Sequence, residues 1–126
     1  MTDHNRELLE RLWPADGQLA LSAEAEHELR TEDYVMEMPQ SGERITGRDK
    51  MREMQREYPA PPSIEIQRIA GAGDHFVVLA RSDYGGEVFY VANIVEFSDG
   101  RVARETRIYG SPFEAPDWRA KYADPS

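Results

Sequence analysis

The chain has no cysteine, so disulfide, thiolate-metal and iron–sulfur chemistry have nothing to work with. Histidine is sparse. His4, His27 and His75 are the only three and stand too far apart for a metal-ligand spacing. Positive charge is in deficit, with 15 Lys and Arg against 24 Asp and Glu and a net charge of −9. The basic residues that are present alternate with acids, Arg44, Arg48, Lys50, Arg52 and Arg56 among Glu43, Asp49, Glu53 and Glu57. Phosphate neutralisation needs a clustered basic footprint, so a nucleic-acid partner is not expected. Long apolar runs are missing too. No window approaches the roughly twenty residues of a membrane span, and the opening MTDHNRELLERLW has no apolar stretch of signal-peptide length. A soluble cytoplasmic protein without a membrane or metal partner is expected.

What is there is one domain's worth of periodic apolar residues. At 126 residues a single core can bury roughly 65–70% of the unfolded surface. Residues 1–32 read as a helical N-terminal part, 63–110 as a strand-rich part and 111–126 as a C-terminal wrap. Leu8, Leu9 and Leu12 fall at helical spacing before Pro14, and the loop Pro14–Gly17 follows. Ser22 suits the N-cap of a second helix with Ala25 and Leu29 on its apolar stripe and glutamates in its first turn. Tyr34–Met38 reads as a strand ended by Pro39, Gln40–Gly47 as a loop, and Arg48–Tyr58 as a helix with Met51, Met54 and Tyr58 on one face. Pro59, Pro61 and Pro62 mark a rigid connector.

From Ser63 the period changes to two. Ile64 and Ile66 belong to one strand, Gly71-Ala72-Gly73-Asp74 to a turn, and His75–Ser82 to the next strand. The Gly71–Gly73 pair lacks the third glycine and following helix of a nucleotide cradle, so no cofactor is implied. Helices first and a strand meander afterwards indicate an α+β fold with helices on one face of a mainly antiparallel sheet. Strand 88–95 is apolar on both faces, with Val88, Tyr90, Ala92 and Ile94 on one and Phe89, Val91 and Val95 on the other. Helices cover only one face, so the outer face is expected to meet a second subunit in a homodimer.

The stretch VFYVANIVEFSDGRVARETRIY, Val88–Tyr109, carries the chemistry. Glu105, Arg107 and Tyr109 recur at two-residue spacing and share a face. Two readings of the Ser98-Asp99-Gly100 turn stay open from periodicity. A two-residue turn sets Asn93 opposite Thr106; a three-residue loop sets Asn93 opposite Glu105 and gives Asn93 and Glu105 a common face.

The segments MEMPQSGERITGRDKM and IVEFSDGRVARETRIYGSPFEAPDWRA, with the order of elements, resemble the SnoaL-like proteins of the nuclear transport factor 2-like superfamily. The resemblance covers roughly Asp33 to Ala120. It implies about three helices packed on a curved, cone-shaped sheet around an apolar pocket. It also places Ala103, Glu105, Arg107 and Tyr109 toward that pocket, which selects the three-residue loop. The family includes polyketide cyclases, ketosteroid isomerase-like enzymes, epoxide hydrolases, dehydratases and non-catalytic binders, so the fold alone names no activity. The ketosteroid isomerase pattern transfers poorly: its proton-shuttling carboxylate falls at Met38, with Glu37 pointing away, and its oxyanion-donating acid falls at Asn93. The epoxide hydrolase pattern fails where its second aspartate falls at Arg107.

What remains is Glu105, Arg107 and Asn93 as the catalytic candidates: Glu105 as a base beside a carbonyl, Arg107 and Asn93 as donors to a developing oxyanion. Tyr109, Tyr34, Met38, Phe89, Val91 and Trp118 are the candidate substrate contacts. The implied function is a cofactor-independent cyclase, isomerase or dehydratase acting on a small hydrophobic carbonyl compound. The alternative is a non-catalytic ligand-binding or dimerisation module of the same fold.

Overall fold

A computed structural model describes residues 3–13, 23–57 and 62–124. The Pro14–Gly17 loop, the Ser22 cap, Tyr58, Pro59 and Pro61 lie outside the described residues. Three helices, α1 (His4–Leu12), α2 (Ala23–Glu28) and α3 (Arg48–Glu57), accompany six strands: β1 (Arg30–Met38), β2 (Glu43–Thr46), β3 (Ser63–Ala72), β4 (His75–Asp83), β5 (Val88–Ser98) and β6 (Arg101–Gly110). The strands form one sheet in the order β2-β1-β6-β5-β4-β3. Every pairing is antiparallel except β1 with β6, which is parallel. The α+β architecture expected from the sequence is therefore present. Among the described residues no helix is long and apolar enough to cross a membrane.

Helix α1 forms where expected. Asp3 caps it by accepting from the Arg6 N–H, and Leu8, Leu9 and Leu12 are all buried. Its first turn is tied to the sheet: Asn5 Nδ2 donates to the Gly73 carbonyl at 2.7 Å and Arg6 Nη2 to the Ile69 carbonyl at 3.0 Å. The helix thereby closes the end of the sheet that carries the β3–β4 turn, over a core containing Phe76 and Phe97 packed edge to face. That turn is tighter than the sequence suggests. Ala72 already pairs with His75, and Gly71 (φ +125°) lies so near β4 that an added Cβ would fall 2.3 Å from the His75 carbonyl oxygen. Only glycine fits there.

The Gly-Arg pair opening α3 has a visible purpose. Gly47 (φ +93°) turns its N–H onto the Tyr34 carbonyl at 2.6 Å. Arg48 Nη1 then donates to the carbonyls of His27 at 3.4 Å and Arg30 at 3.1 Å. One side chain thus pins the end of α2 and the start of β1 beneath α3. The segment read as a loop before it contains β2, which pairs with β1 from Val35↔Thr46 to Met38↔Glu43.

Irregularities in three strands let the sheet curve. β6 has an extra residue at Ala103, β3 at Gln67, and β1 gains several between Arg30 and Val35 relative to β6. Each bulge bends its strand and increases the local twist. The hairpin between β5 and β6 corrects both sequence readings. Ser98 pairs with Arg101 across a two-residue turn in which Asp99 (φ 50°) and Gly100 (φ 79°) are both left-handed, the type I′ geometry. The bulge at Ala103 then restores the parity of the three-residue reading, so Val95 faces Glu105 and Asn93 faces Arg107. The expected grouping of faces stands although the expected turn does not.

Two expectations change more deeply. The second helix fully buries Glu26 and His27, while Ala25 is half-buried and Leu29, just past its end, is half-buried against the core. The C-terminal segment is not a wrap: residues 111–124 are exposed throughout, including Phe113, Trp118 and Tyr122.

Candidate functional site

Between the helices and the inner face of the sheet lies a cavity of about 670 Å³, within the range of small-molecule sites. Its walls include Met36, Met38, Met51 and Met54, four of the chain's five methionines, with Ile66, Val78 and Val91. Thioether side chains are flexible and polarisable, so such a wall adapts to ligand shape. Two polar groups interrupt it. Asn93 and Arg107 rise from neighbouring positions on β5 and β6, and Glu26, Arg30 and Gln55 come from α2, β1 and α3.

Glu105 anchors the first group from behind. It is 2% exposed and does not line the cavity. Its Oε1 accepts from Asn93 Nδ2 at 2.7 Å and from Arg107 Nη2 at 3.0 Å, and its Oε2 accepts from the Tyr34 hydroxyl. Burial alone would raise its pKa. The charges of Arg107 and Arg30, with the hydrogen bonds from Tyr34 and Asn93, outweigh that and hold it at about 2. A carboxylate so acidic, with both oxygens engaged, is a poor proton acceptor. This weighs against the expectation that Glu105 is the base and fits it to orient Arg107 and Asn93.

Arg107 faces the other way. Burial pulls its pKa down, but the Glu105 carboxylate more than offsets this, so the guanidinium stays charged. Its side chain keeps 20% exposure and lines the cavity. Asn93 also lines the cavity, but its Nδ2 is directed at Glu105, which as a carboxylate can only accept. That bond uses one of the two Nδ2 hydrogens, so it does not by itself remove the expected role of oxyanion donor. Among the described residues its Oδ1 finds no hydrogen-bond partner.

The candidate substrate contacts divide. Tyr109, Met38 and Val91 line the cavity. Tyr34 does not: fully buried, with its hydroxyl pKa raised by burial and then by the nearby Glu105 charge, it stays a donor to Glu105. Phe89 backs the wall, its ring edge-on to Tyr84 at 5.8 Å and to Tyr109 at 6.4 Å. Trp118 stands apart from the cavity at 69% exposure, because the segment carrying it leaves the sheet after β6. Glu37 points away from the cavity, as expected, and pairs with Arg104 and Arg44. Among the described residues no three His, Asp or Glu side chains converge as a metal-binding group.

The polar group on the helical side escaped the sequence reading. Gln55 Nε2 donates to Glu26 Oε2, Arg30 Nη1 donates to Gln55 Oε1 at 3.0 Å, and Arg30 Nη2 lies 3.7 Å from Glu26 Oε2. Arg30 also stacks over the Tyr34 ring, 4.9 Å from its centroid, so it links this group to the Glu105 cluster. Glu26 is 6% exposed. Burial raises its pKa against the lowering pull of Arg30 and Gln55, and the Glu105 charge adds to the rise. The only sequence signal was a glutamate one turn before an arginine, a spacing shared with countless surface pairs.

A family model for the SnoaL-like domain matches residues 6–105. The chain belongs to the SnoaL-like family. Among solved structures, this SnoaL-like protein is similar to an NTF-2 like protein of unknown function from Burkholderia xenovorans LB400, at 34% identity and TM-score 0.85, over 98% of this chain and 95% of that one. It is also similar to a protein from Kribbella flavida DSM 17836 provisionally named a ketosteroid isomerase, at 26% identity and TM-score 0.81, over 99% and 91% of the two chains. A provisionally named SnoaL-like polyketide cyclase from Jannaschia sp. CCS1 shares the fold at 15% identity and TM-score 0.67, over 84% and 85%. No curated protein matches the chain.

Proposed function

We propose that this SnoaL-like protein binds a small hydrophobic carbonyl compound in the methionine-lined cavity and acts on it without a cofactor, as an isomerase, cyclase or dehydratase. The observation that carries the reading is Arg107: a guanidinium held from behind by Glu105 and presented to an apolar space. Such a cation lies ready for negative charge that develops on a carbonyl oxygen, and its low-dielectric surroundings strengthen the interaction. The likeness to the Kribbella flavida protein supports the isomerase form of the reading. The saturated state of Glu105 supports the alternative, a binding protein without turnover.

A thermal-shift screen against apolar ketones, lactones and polyketide-like aromatics tests the reading. A ligand that binds only the folded state stabilises by about 2.7 kcal/mol at a hundredfold excess over its Kd, a rise of several degrees for a domain of this size. At least one carbonyl compound is expected to produce that rise, and its analogue without the carbonyl to produce much less. Equal shifts for both would remove Arg107 from the account.

The outer sheet face supports a second proposal, a homodimer. Val77, Leu79, Tyr90, Ile94 and Ile108 form a patch on β4, β5 and β6, each between 37% and 46% exposed. Charged residues of both signs adjoin it, with Glu96 next to Arg104. An apolar centre with a mixed-charge edge is self-complementary about a two-fold axis. Ile94→Glu is expected to convert a dimer, read by light scattering after gel filtration, into a monomer. A wild-type monomer at high micromolar concentration would sink the proposal.

A further inference from the structure

Two carboxyl groups approach the cavity, and they are held in opposite ways. Glu105 is locked on the inner face of β6, out of the cavity lining, by three donors. Glu26 lines the cavity itself, from the helical side, while Arg107 lines it from the sheet. Among the described residues the Glu26 side chain accepts its hydrogen bond on Oε2, from Gln55, with Arg30 beside the same oxygen. Glu37 on β1 is turned outward onto Arg104 and Arg44.

We propose that Glu26 is the proton-transferring group of this cavity, working against a carbonyl oxygen held at Arg107. The inference rests on the carbonyl-binding reading above. In the step it implies, the Glu26 carboxylate removes a proton from the carbon beside the carbonyl. The C–H bond breaks and an O–H bond forms on Glu26. The released electron pair forms the enolate C=C bond, and the former carbonyl π pair settles on oxygen next to the Arg107 guanidinium. With a saturated ketone the protonated Glu26 returns a proton to the same α-carbon, read as exchange. With a β,γ-unsaturated ketone the enolate is a dienolate and the proton returns to its γ-carbon, an isomerisation with no net change of charge or oxidation state. Gln55 and Arg30 orient the carboxylate. Two carboxyls whose surroundings drive their proton affinities apart are the pattern of divided acid–base roles, and of the two the one with the raised value, which also lines the cavity, is the better proton acceptor. The groups that set this balance are Arg30 on β1, Gln55 on α3, and Glu105 and Arg107 on β6.

The test follows exchange of the α-protons of 2-decalone into D₂O by proton NMR, with binding of the same ketone read by thermal shift. Wild type is expected to accelerate exchange over buffer, with a rate that rises with pH through a midpoint above the ordinary glutamate value and then levels. Glu26→Gln is expected to lose roughly 100-fold or more of that rate while still being stabilised by the ketone. Glu26→Asp is expected to keep part of it, and guards against a Gln variant that folds poorly. Exchange as fast in Glu26→Gln as in wild type would assign the base elsewhere. Ketone binding with no exchange in wild type would overturn the inference but leave the binding reading intact. No ketone binding at all would overturn both.

Discussion

Glu105→Ala is expected to be the most damaging single substitution in the chain, lowering stability by about 3–5 kcal/mol in urea denaturation. It leaves the Arg107 guanidinium without its counter-charge, and breaking a buried pair from one side costs that much. The same residue sets the acid limit of the fold. Its folded pKa of about 2 lies below the ordinary 4.5. A depressed carboxyl contributes stability that is complete above its unfolded value and is lost as pH falls toward the folded one. The window is therefore about pH 4.5 to 2, and the loss is of the order of 3 kcal/mol. Glu26 works in the opposite sense and above that window, since its raised value adds stability as pH falls toward 4.5. Glu26→Gln should thus abolish that gain above pH 4.5, and Glu105→Ala should flatten the loss below it. An acid profile unchanged in the Glu105 variant would show that the charge balance described for this cluster is wrong.

Arg107→Met is expected to be nearly as costly, because it strands the Glu105 carboxylate, with Tyr34, Asn93 and the more distant Arg30 as its remaining support. The informative experiment is the double variant Glu105→Gln/Arg107→Met. Replacing both members of a buried ion pair by uncharged groups of similar volume is often neutral, so the double variant should recover most of the stability lost by either single change. It should not recover ligand response, because the cation offered to the carbonyl is gone. Recovery of stability together with ligand-induced stabilisation would mean that Arg107 serves the fold and not the ligand.

These charges could be placed on one face from the sequence because side-chain alternation in β6 is a local property. The register could not. The two-residue turn is written in Asp99-Gly100, but the bulge at Ala103 depends on how β6 settles between β5 and β1, and alanine there carries no mark of it. Leu8, Leu9 and Leu12 announced α1 because all of its buried residues are apolar. α2 was legible as a helix but not in what it buries: its buried residues are Glu26 and His27, whose burial is stabilised by partners on α3 and β1 that no short window contains. Trp118 misled in the other direction. A tryptophan implies burial by its size, yet the segment bearing it lies beyond the last strand and meets no surface of the described fold that covers it.

The parallel pairing of β1 with β6 has a consequence for the order in which the molecule assembles. The hairpins from β3 to β6 join chain neighbours and close short loops, which form early. The contact of Tyr34 with Glu105 spans 71 residues and requires β6 to be in place before β1 can dock. During synthesis the strand that bears Arg107 is the last of the six to emerge, and the Glu105 contacts with Arg107 and Tyr34 wait for it. A chain cut before residue 101 keeps most of its apolar core residues and the Glu26–Arg30 pair but loses Glu105 and Arg107. It also leaves β1 and β5 with bare edges, the surfaces on which half-made sheets aggregate.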